Sequence, residues 1–367
     1  MFSRRDREVY IHQGSSGSIE IVVEESQPHG CVVNEERFRY PPNNMPHVTI
    51  FGSLNYDLVV STNRIPQGGE TIHCDSFATH CGGKGANQAL AVRKLSSPKT
   101  VGVRMVGRVG QDAFGQQLKA GLANAGTDVS LIEEIPGESG VAVILLERSG
   151  ENRILVHAGA NGTYKPEDVN LGWFTVDVQR LTDFLVIQNE LPIPVVLRAI
   201  EVAYDNGIEI VYNPSPMEQS ILTPEVISKI SYLVVNESEL AALTQEDFFG
   251  TDLADHAALV GRVKEVHVKY DFKGTVVTTF GGHGTVYSIY GSEAVFVEPF
   301  KAKQVVDTTG AGDSFLGAFV GAVAAGKSVP EAVKWGAAAG CLAVGREGAA
   351  DSIPMLDEAA ALVQNEQ

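Results

Sequence analysis

A largely parallel α/β sheet with helices on both faces is what this 367-residue sequence predicts, on three observations. Short apolar runs at Phe184 to Gln188, Glu209 to Tyr212, Tyr232 to Val235 and Thr275 to Thr279 alternate with helical patterns, the rhythm that builds parallel sheets. Val305 to Gly326, VVDTTGAGDSFLGAFVGAVAAG, reads as a strand over Gln304 to Val306, a tight turn, and a buried helix of small and apolar residues. Thr71 to His80 and Gly140 to Val156 alternate loosely, the second reading as a β-hairpin through Ser149 to Asn152.

Bulk properties exclude several classes. The formal charge of −17 and the pI near 4.9 argue against nucleic acid or an anionic membrane as partner, because both need clustered Lys and Arg. Cys31, Cys74, Cys81 and Cys341 lack metal-ligand spacing and indicate no disulfide framework. With no apolar run of about 18 residues and no signal-peptide pattern, a cytosolic or nuclear setting is expected. Residues 1–44 are polar, with a Gly-Ser patch and a Pro-Pro-Asn-Asn stop, and read as a mostly disordered extension in which Ile19 to Val23 could form a short strand. Arg4, Arg5 and Arg7 suggest a targeting peptide, but Asp6 and Glu8 spoil its acidic-poor pattern. The domain proper spans 45–367.

From Met45 an apolar strand, His47 to Phe51, leads into Gly52-Ser53-Leu54-Asn55-Tyr56-Asp57. Ligands gather at the carboxyl ends of strands in open α/β sheets, so Asn55 and Asp57 are candidate contacts, and a carboxylate can accept two hydrogen bonds from a vicinal diol. An Asx pair shaping a loop explains the same residues equally well. Next comes Cys81-Gly82-Gly83-Lys84-Gly85-Ala86-Asn87-Gln88-Ala89, then a small-residue helix to Leu95. It is not a Walker loop, since GxxxxGK[ST] is absent. Its glycines admit a small polar ligand to the backbone, and Lys84 and Asn87 offer a charge and an amide; a plain Gly-rich helix start is the competing account.

In Asp307-Thr308-Thr309-Gly310-Ala311-Gly312-Asp313, the glycines let the amides of Gly310, Ala311 and Gly312 converge at a helix N-terminus, where an anion is favoured. Asp313 then stands in the first helical turn, placed to take a proton from a hydroxyl beside that anion. A lone GxGD would more often be only a capped turn. Asn236-Glu237-Ser238-Glu239 follows the Tyr232 strand with capping-box spacing. Thr279-Phe280-Gly281-Gly282-His283-Gly284 ends another strand in a turn, and Lys334 to Val344 reads as an Ala/Gly-rich helix.

Together, Gly52 to Asp57, Gly69-Glu70-Thr71, the Gly82 to Ala89 loop and the Asp307 to Asp313 string resemble the ribokinase-like carbohydrate kinases, from about Met45 to the C-terminus. The resemblance implies a ribokinase-like fold: the mostly parallel sheet, helices on its faces, and a small β-sheet lid, here near 57–80 and 140–157, that covers the sugar and often pairs into a homodimer. It implies transfer of the γ-phosphoryl group of ATP to the 5-hydroxyl of D-ribose, as in ribose catabolism, with Asp313 as base and the amides of 310–312 as anion hole. Implied sugar contacts are Asn55, Asp57, Gly83, Asn87 and Glu190, with Tyr56, Lys84, Gly85 and Ala86 in the same motifs; Lys84 could equally be structural. Asn236 and Glu239 are implied near nucleotide phosphates and Mg2+, and Thr279 to Gly284 beside the nucleotide with Gly312 and Asp313. A monovalent cation, K+, is implied at Asp307 with oxygens from Thr309, Ala343, Arg346, Gly348 and Ser352. Where many ribokinases set a polar side chain against the nucleotide, this chain has Ala337. Gly345 to Ser352 closes the site region, and His157 to Asn161 also matches, with His157 read as structural. A kinase of a nucleoside or another sugar is the rival enzyme, and a non-catalytic sugar sensor the rival from another class; Asp313 and the intact turn argue against the sensor, which needs no base.

Overall fold

The computed structural model describes residues 7–13, 19–25, 45–148, 152–176, 179–245 and 253–365. Two compact units divide the chain, Met1–Arg39 and Tyr40–Gln367. In the first, β1 (Arg7–Gln13) and β2 (Ile19–Glu25) pair antiparallel. The strand expected at Ile19 to Val23 falls within β2, β1 adds to that expectation, and the rest of the supposedly disordered extension lies outside the described residues.

The second unit begins β3 (His47–Phe51), β4 (Asn55–Thr62), β5 (Ser76–Gly82), α1 (Lys84–Lys94), β6 (Gly102–Gly110), α2 (Ala113–Asn124), β7 (Asp128–Ile135), β8 (Gly140–Glu147) and β9 (Asn152–His157). A two-residue pair, β10 (Thr175–Val176) and β11 (Gln179–Arg180), precedes β12 (Phe184–Ile187), α3 (Ile193–Asp205), β13 (Glu209–Tyr212), α4 (Pro224–Ile227), β14 (Tyr232–Asn236), α5 (Glu237–Thr244) and α6 (His256–Tyr270). It closes with β15 (Thr275–Thr279), β16 (Thr285–Ile289), β17 (Val295–Val297), α7 (Ala311–Ala324), α8 (Val329–Ala343) and α9 (Leu356–Asn365).

The main sheet runs β17-β16-β15-β14-β13-β12-β3-β6-β7, parallel from β15 to β7 and antiparallel at β16 and β17. From β3 the chain builds β6 and β7 on one side, then returns to lay β12 on the other. The order therefore reverses between β3 and β12, and a crevice opens there at the carboxyl ends of the strands. Alternation feeds two cores. Phe51, Leu185, Ile187, Ile210 and Tyr212 join one buried cluster, while Val48, Ile50, Val186 and Val211 join the other. Strands buried on both faces read as continuous apolar runs, which is why these were visible in the sequence.

A second sheet, β5-β4-β8-β9, starts where β3 ends, so its root lies at the crevice. The helix of the DTTGAGD string, α7, is buried from Asp313 to Ala322 and packs tightly on α1: a β-carbon at Gly317 would lie 2.3 Å from the Ala91 β-carbon. Among the described residues no helix is long and apolar enough to cross a membrane.

Two expectations need correction. Gln304 to Val306 is no strand; Val305 and Val306 are exposed, and the Val306 and Asp307 amides donate to the Val344 carbonyl, at 2.7 and 3.3 Å. β-branched residues make a strand only where a neighbouring strand takes up their backbone groups, and here the end of α8 does so instead. The helix expected from Lys334 begins at Val329, because Ser328 and Glu331 form a capping box with Pro330 in the first turn.

Candidate active site

Glu190, just past β12, closes the seam with β3. Its Oε2 accepts from Ser53 Oγ at 2.5 Å and from the Lys84 amide at 2.9 Å, with Asn55 Nδ2 at 3.5 Å. Asn161 brackets the same corner: its Oδ1 accepts from the Leu54 amide at 3.0 Å, and its Nδ2 donates to the Leu54 carbonyl at 3.0 Å and to Asn55 Oδ1 at 2.8 Å. Asn55 and Asp57 share one face of β4. Gly82 makes room for Asp57, since a β-carbon there would lie 2.1 Å from Asp57 Oδ2. Burial, then the Glu190 charge, pushes the Asp57 carboxyl up to about 7, with His80 pulling the other way. Tyr56 lies on the opposite face, its ring stacked on Phe114 at 4.2 Å and its hydroxyl donating to Gln117 Oε1 at 2.8 Å, so its side chain is set apart from Asn55 and Asp57. Gly83 caps α1, and the Gly85 and Ala86 amides donate to Ser53 Oγ and to the Ser53 carbonyl.

Gly310 begins α7 with φ of 76°, a left-handed conformation that costs other L-residues about 1–2 kcal/mol. A β-carbon there would also meet the Ala349 carbonyl oxygen at 2.7 Å. Ala311, Gly312 and Asp313 form the first turn, whose amides have no intrahelical acceptor. Asp313 is 8% exposed; its Oδ2 accepts from Asn87 Nδ2 at 3.2 Å and its Oδ1 from Gln88 Nε2 at 3.0 Å. A mainly polar cavity of about 230 Å³ lies over this turn, bordered by Lys84, Asn236, Glu239, Gly310, Gly312 and Asp313. Burial disfavours the Lys84 ammonium, but the carboxylates of Asp313, Glu190 and Glu239 outweigh it and raise its pKa, so Lys84 is the standing positive charge of this cavity.

Beside it a wider, more apolar cleft of about 1410 Å³ shares Asn236, Thr279 and Gly312 and continues past Gly281, Gly282 and Gly284. Ala337 lines it, so the small side chain noted in the sequence leaves space there. The capping box of α5 is formed, with the Glu239 amide donating to Asn236 Oδ1 and the Asn236 amide to Glu239 Oε2, both at 2.9 Å. Capping does not withdraw the pair from the cavity they border. Phe280 is buried in the core instead, its amide donating to the Gly284 carbonyl at 2.9 Å, and His283 is exposed on that turn.

Asp307 ties the turn to the segment after α8. Its Oδ1 accepts from the Thr309 amide at 2.9 Å and the Thr309 hydroxyl at 2.7 Å, and its Oδ2 from the Gly348 amide at 2.9 Å. Burial opposes this carboxylate, yet those donors hold its pKa below the usual range. Ser352 Oγ donates to the Ala349 carbonyl at 2.9 Å and lies 3.5 Å from the Thr309 carbonyl. The Ala343 carbonyl accepts from the Arg346 amide at 3.0 Å, and the Arg346 guanidinium pairs with Glu358. Ser53, Gln88, Asn161, Gln188 and Asn213 contribute to the site without being singled out in sequence; Ser53, Gln88 and Asn161 belong to the motifs above and Gln188 ends a strand run, while Asn213 carried no signal.

A polar crevice beside the first turn of a helix, with a buried carboxylate between them, is an arrangement compatible with phosphoryl transfer to an alcohol. Residues 45–356 match the pfkB family carbohydrate kinase, and the chain belongs to that family. It is 38% identical over 319 residues to the ribokinase of Schizosaccharomyces pombe, covering 86% of this chain and 96% of that one. Arabidopsis thaliana ribokinase complexed with ribose and ATP is similar with a TM-score of 0.77 and 30% identity, covering 88% of this chain and 99% of that one. Cryptococcus neoformans ribokinase in complex with ADP is similar with a TM-score of 0.73 and 32% identity, covering 86% and 99%.

Proposed function

We propose that this protein is an ATP-dependent kinase that phosphorylates the 5-hydroxyl of D-ribose to give ribose 5-phosphate. The carrying observation is Asp313: a buried carboxylate in the first turn of α7, bound to Asn87 of the Gly82 to Ala89 loop and bordering the cavity with Gly310 and Gly312. Ribose would lie in the crevice against Asn55, Asp57, Asn87 and Glu190, and the nucleotide in the wider cleft past Thr279 and the Gly281 to Gly284 turn. As the bond from the sugar oxygen to the γ-phosphorus forms and the β–γ bridge breaks, Asp313 takes the hydroxyl proton. The amides at 310–312 and the Lys84 ammonium meet the charge on the moving group, and positioning supplies most of the acceleration. A base of this kind contributes about 10²–10⁴-fold, and an anion-hole donor about 10²–10³-fold.

Oxygen donors suit hard cations, and both implied sites consist of them. Asn236 and Glu239 would stand near Mg2+ carried with the phosphates, which would neutralise phosphoryl charge. Asp307, Thr309, Ala343, Arg346, Gly348 and Ser352 would hold K+. The pinning of Asp307 to both Thr309 and Gly348 supports this, because it gathers the two oxygen-bearing segments at one carboxylate. The second sheet would serve as lid and homodimer face, since Phe77, Ile154, Leu155 and Val156 are exposed on it. Among the described residues Cys74, Cys81 and Cys341 form no disulfide, which suits the reducing cytosol or nucleus.

ADP release from MgATP tests the proposal, with ribose, 2-deoxyribose, fructose, adenosine and pseudouridine, each with K+ or only a large organic cation. Ribose-dependent, K+-stimulated turnover is the expected result. Turnover on a nucleoside alone would move the substrate, and ribose binding without turnover would make the protein a sensor.

A further inference from the structure

Asp313 can act as base only if one carboxylate oxygen is held toward the reacting hydroxyl, and its immediate neighbours on α7 supply no such restraint. The restraint comes from α1 and two strand ends. Resting on the kinase reading above, we propose that Gln88 is the residue that fixes the Asp313 carboxylate, and that Gln188 in turn fixes Gln88. Gln88 is fully buried and uses every polar group of its side chain. Its Nε2 donates to Asp313 Oδ1 at 3.0 Å and to Asn213 Oδ1 at 3.2 Å, while its Oε1 accepts from Gln188 Nε2 at 2.6 Å.

The direction of each amide follows from its partners. Asn213 donates through Nδ2 to the Val234 carbonyl at 3.0 Å, which leaves its Oδ1 facing Gln88. A reversed Gln88 would set its oxygen against two acceptors, the Asp313 carboxylate and Asn213 Oδ1, so only one orientation is compatible with the surroundings. Asn87 then takes the second oxygen of Asp313, and adjacent residues of one rigid helix define the carboxylate plane. Gln188 meets an unusual condition for this service. It is fully buried at the end of β12, and its own Oε1 lies beside Gly52 with no hydrogen-bond partner. An unpaired buried acceptor is retained at a cost in stability, and an apolar residue would avoid that cost. Directing the Gln88 amide is what Gln188 provides in return.

The test uses the full chain with ribose and MgATP. Gln88→Met keeps side-chain length and removes the donor. We expect kcat to fall about 10- to 100-fold, as for a reacting group misplaced by a fraction of an ångström, while calorimetric Kd values for ribose and MgADP stay within about threefold. Gln188→Met leaves Asp313 and its two donors in place and should lower kcat by a smaller factor, about 3- to 10-fold, with the same unchanged affinities. A kcat within threefold of the unaltered enzyme for Gln88→Met, or a loss shared equally by both affinities, overturns the assignment. Should Gln88→Met fail to fold by circular dichroism, Gln188→Met decides, and an unchanged kcat there overturns it. Asp313→Asn is assayed alongside. If Asp313→Asn keeps full turnover, the base itself is misassigned, whereas an inactive Asp313→Asn beside a fully active Gln88→Met removes only the role of Gln88.

Discussion

Asp307 and Asp313 open and close one seven-residue string, yet they are held in opposite ways. Asp307 takes two of its hydrogen bonds from Thr309, two residues away, and a third from the Gly348 amide. Asp313 takes both of its bonds from side-chain amides on a helix more than two hundred residues earlier in the chain. The first carboxylate shapes its own loop and then joins that loop to a second segment. The second is delivered by its loop and oriented by the rest of the fold. A carboxylate that shapes a loop can rely on local donors, whereas the proposed base role of Asp313 requires it to be aimed at a ligand the loop does not itself contain.

Breaking the Asp313 end should have the largest effect. Asp313→Asn is expected to lower kcat by about 10²–10⁴-fold while calorimetry still detects ribose, because the base is lost and the crevice is not. Full turnover in that variant would leave the two aspartates without the distinction drawn between them. At the other end, Asp307→Ala releases Thr309 and Gly348. The K+ concentration for half-activation should rise about 10- to 100-fold, the usual cost of losing a group that orders a metal site, and an unchanged K+ titration would separate Asp307 from the cation. Between them, Gly310→Ala combines positive φ with a clash at the Ala349 carbonyl. Urea titration should register a loss of roughly 1–3 kcal/mol, and a variant as stable as the parent would mean the turn can rebuild itself.

A third carboxylate sharpens the contrast. Asp57 is raised to about 7 by burial and by Glu190, so in the ribose-free protein it gains its charge across neutral pH. If the ionised form accepts the sugar hydroxyls, ribose affinity should strengthen by about tenfold from pH 6 to pH 8, and Asp57→Asn should flatten that dependence. Equal affinity at both pH values in the unaltered protein would exclude the ionised form as the binding one. Linkage gives the same group an opposite sign in stability. Its folded pKa exceeds its unfolded value, so the protonated native state is favoured at low pH, and that contribution is lost as pH rises from about 4 through 7.

Much of the fold was legible because the signals are local and redundant. The strands read at Glu209 to Tyr212 and Thr275 to Thr279 coincide with β13 and β15, short runs rich in β-branched residues that suit a sheet covered on both faces. Gln304 to Val306 had similar composition but no strand beside it, so its backbone groups went to the end of α8. Ser328 and Glu331 carry the start of α8 in their capping-box spacing, one turn ahead of the Ala-rich stretch. At the site, Asn55 and Asp57 were legible together, but Tyr56 between them turns to Phe114 because a strand sends alternate side chains to opposite faces.

By itself the sequence determined the turn before α7: glycine where φ is positive, a helix start directly after it, and an aspartate in the first turn, all consequences of short-range sterics and backbone polarity. Tertiary structure alone decided that Glu190 would reach Ser53, that Asn161 would bracket Asn55, and that Gln188 would direct Gln88 toward Asp313. Those pairs meet because the strand order reverses between β3 and β12 and α7 crosses closely over α1. No local propensity encodes such meetings; they exist only once register and helix packing bring distant side chains to the same few ångströms.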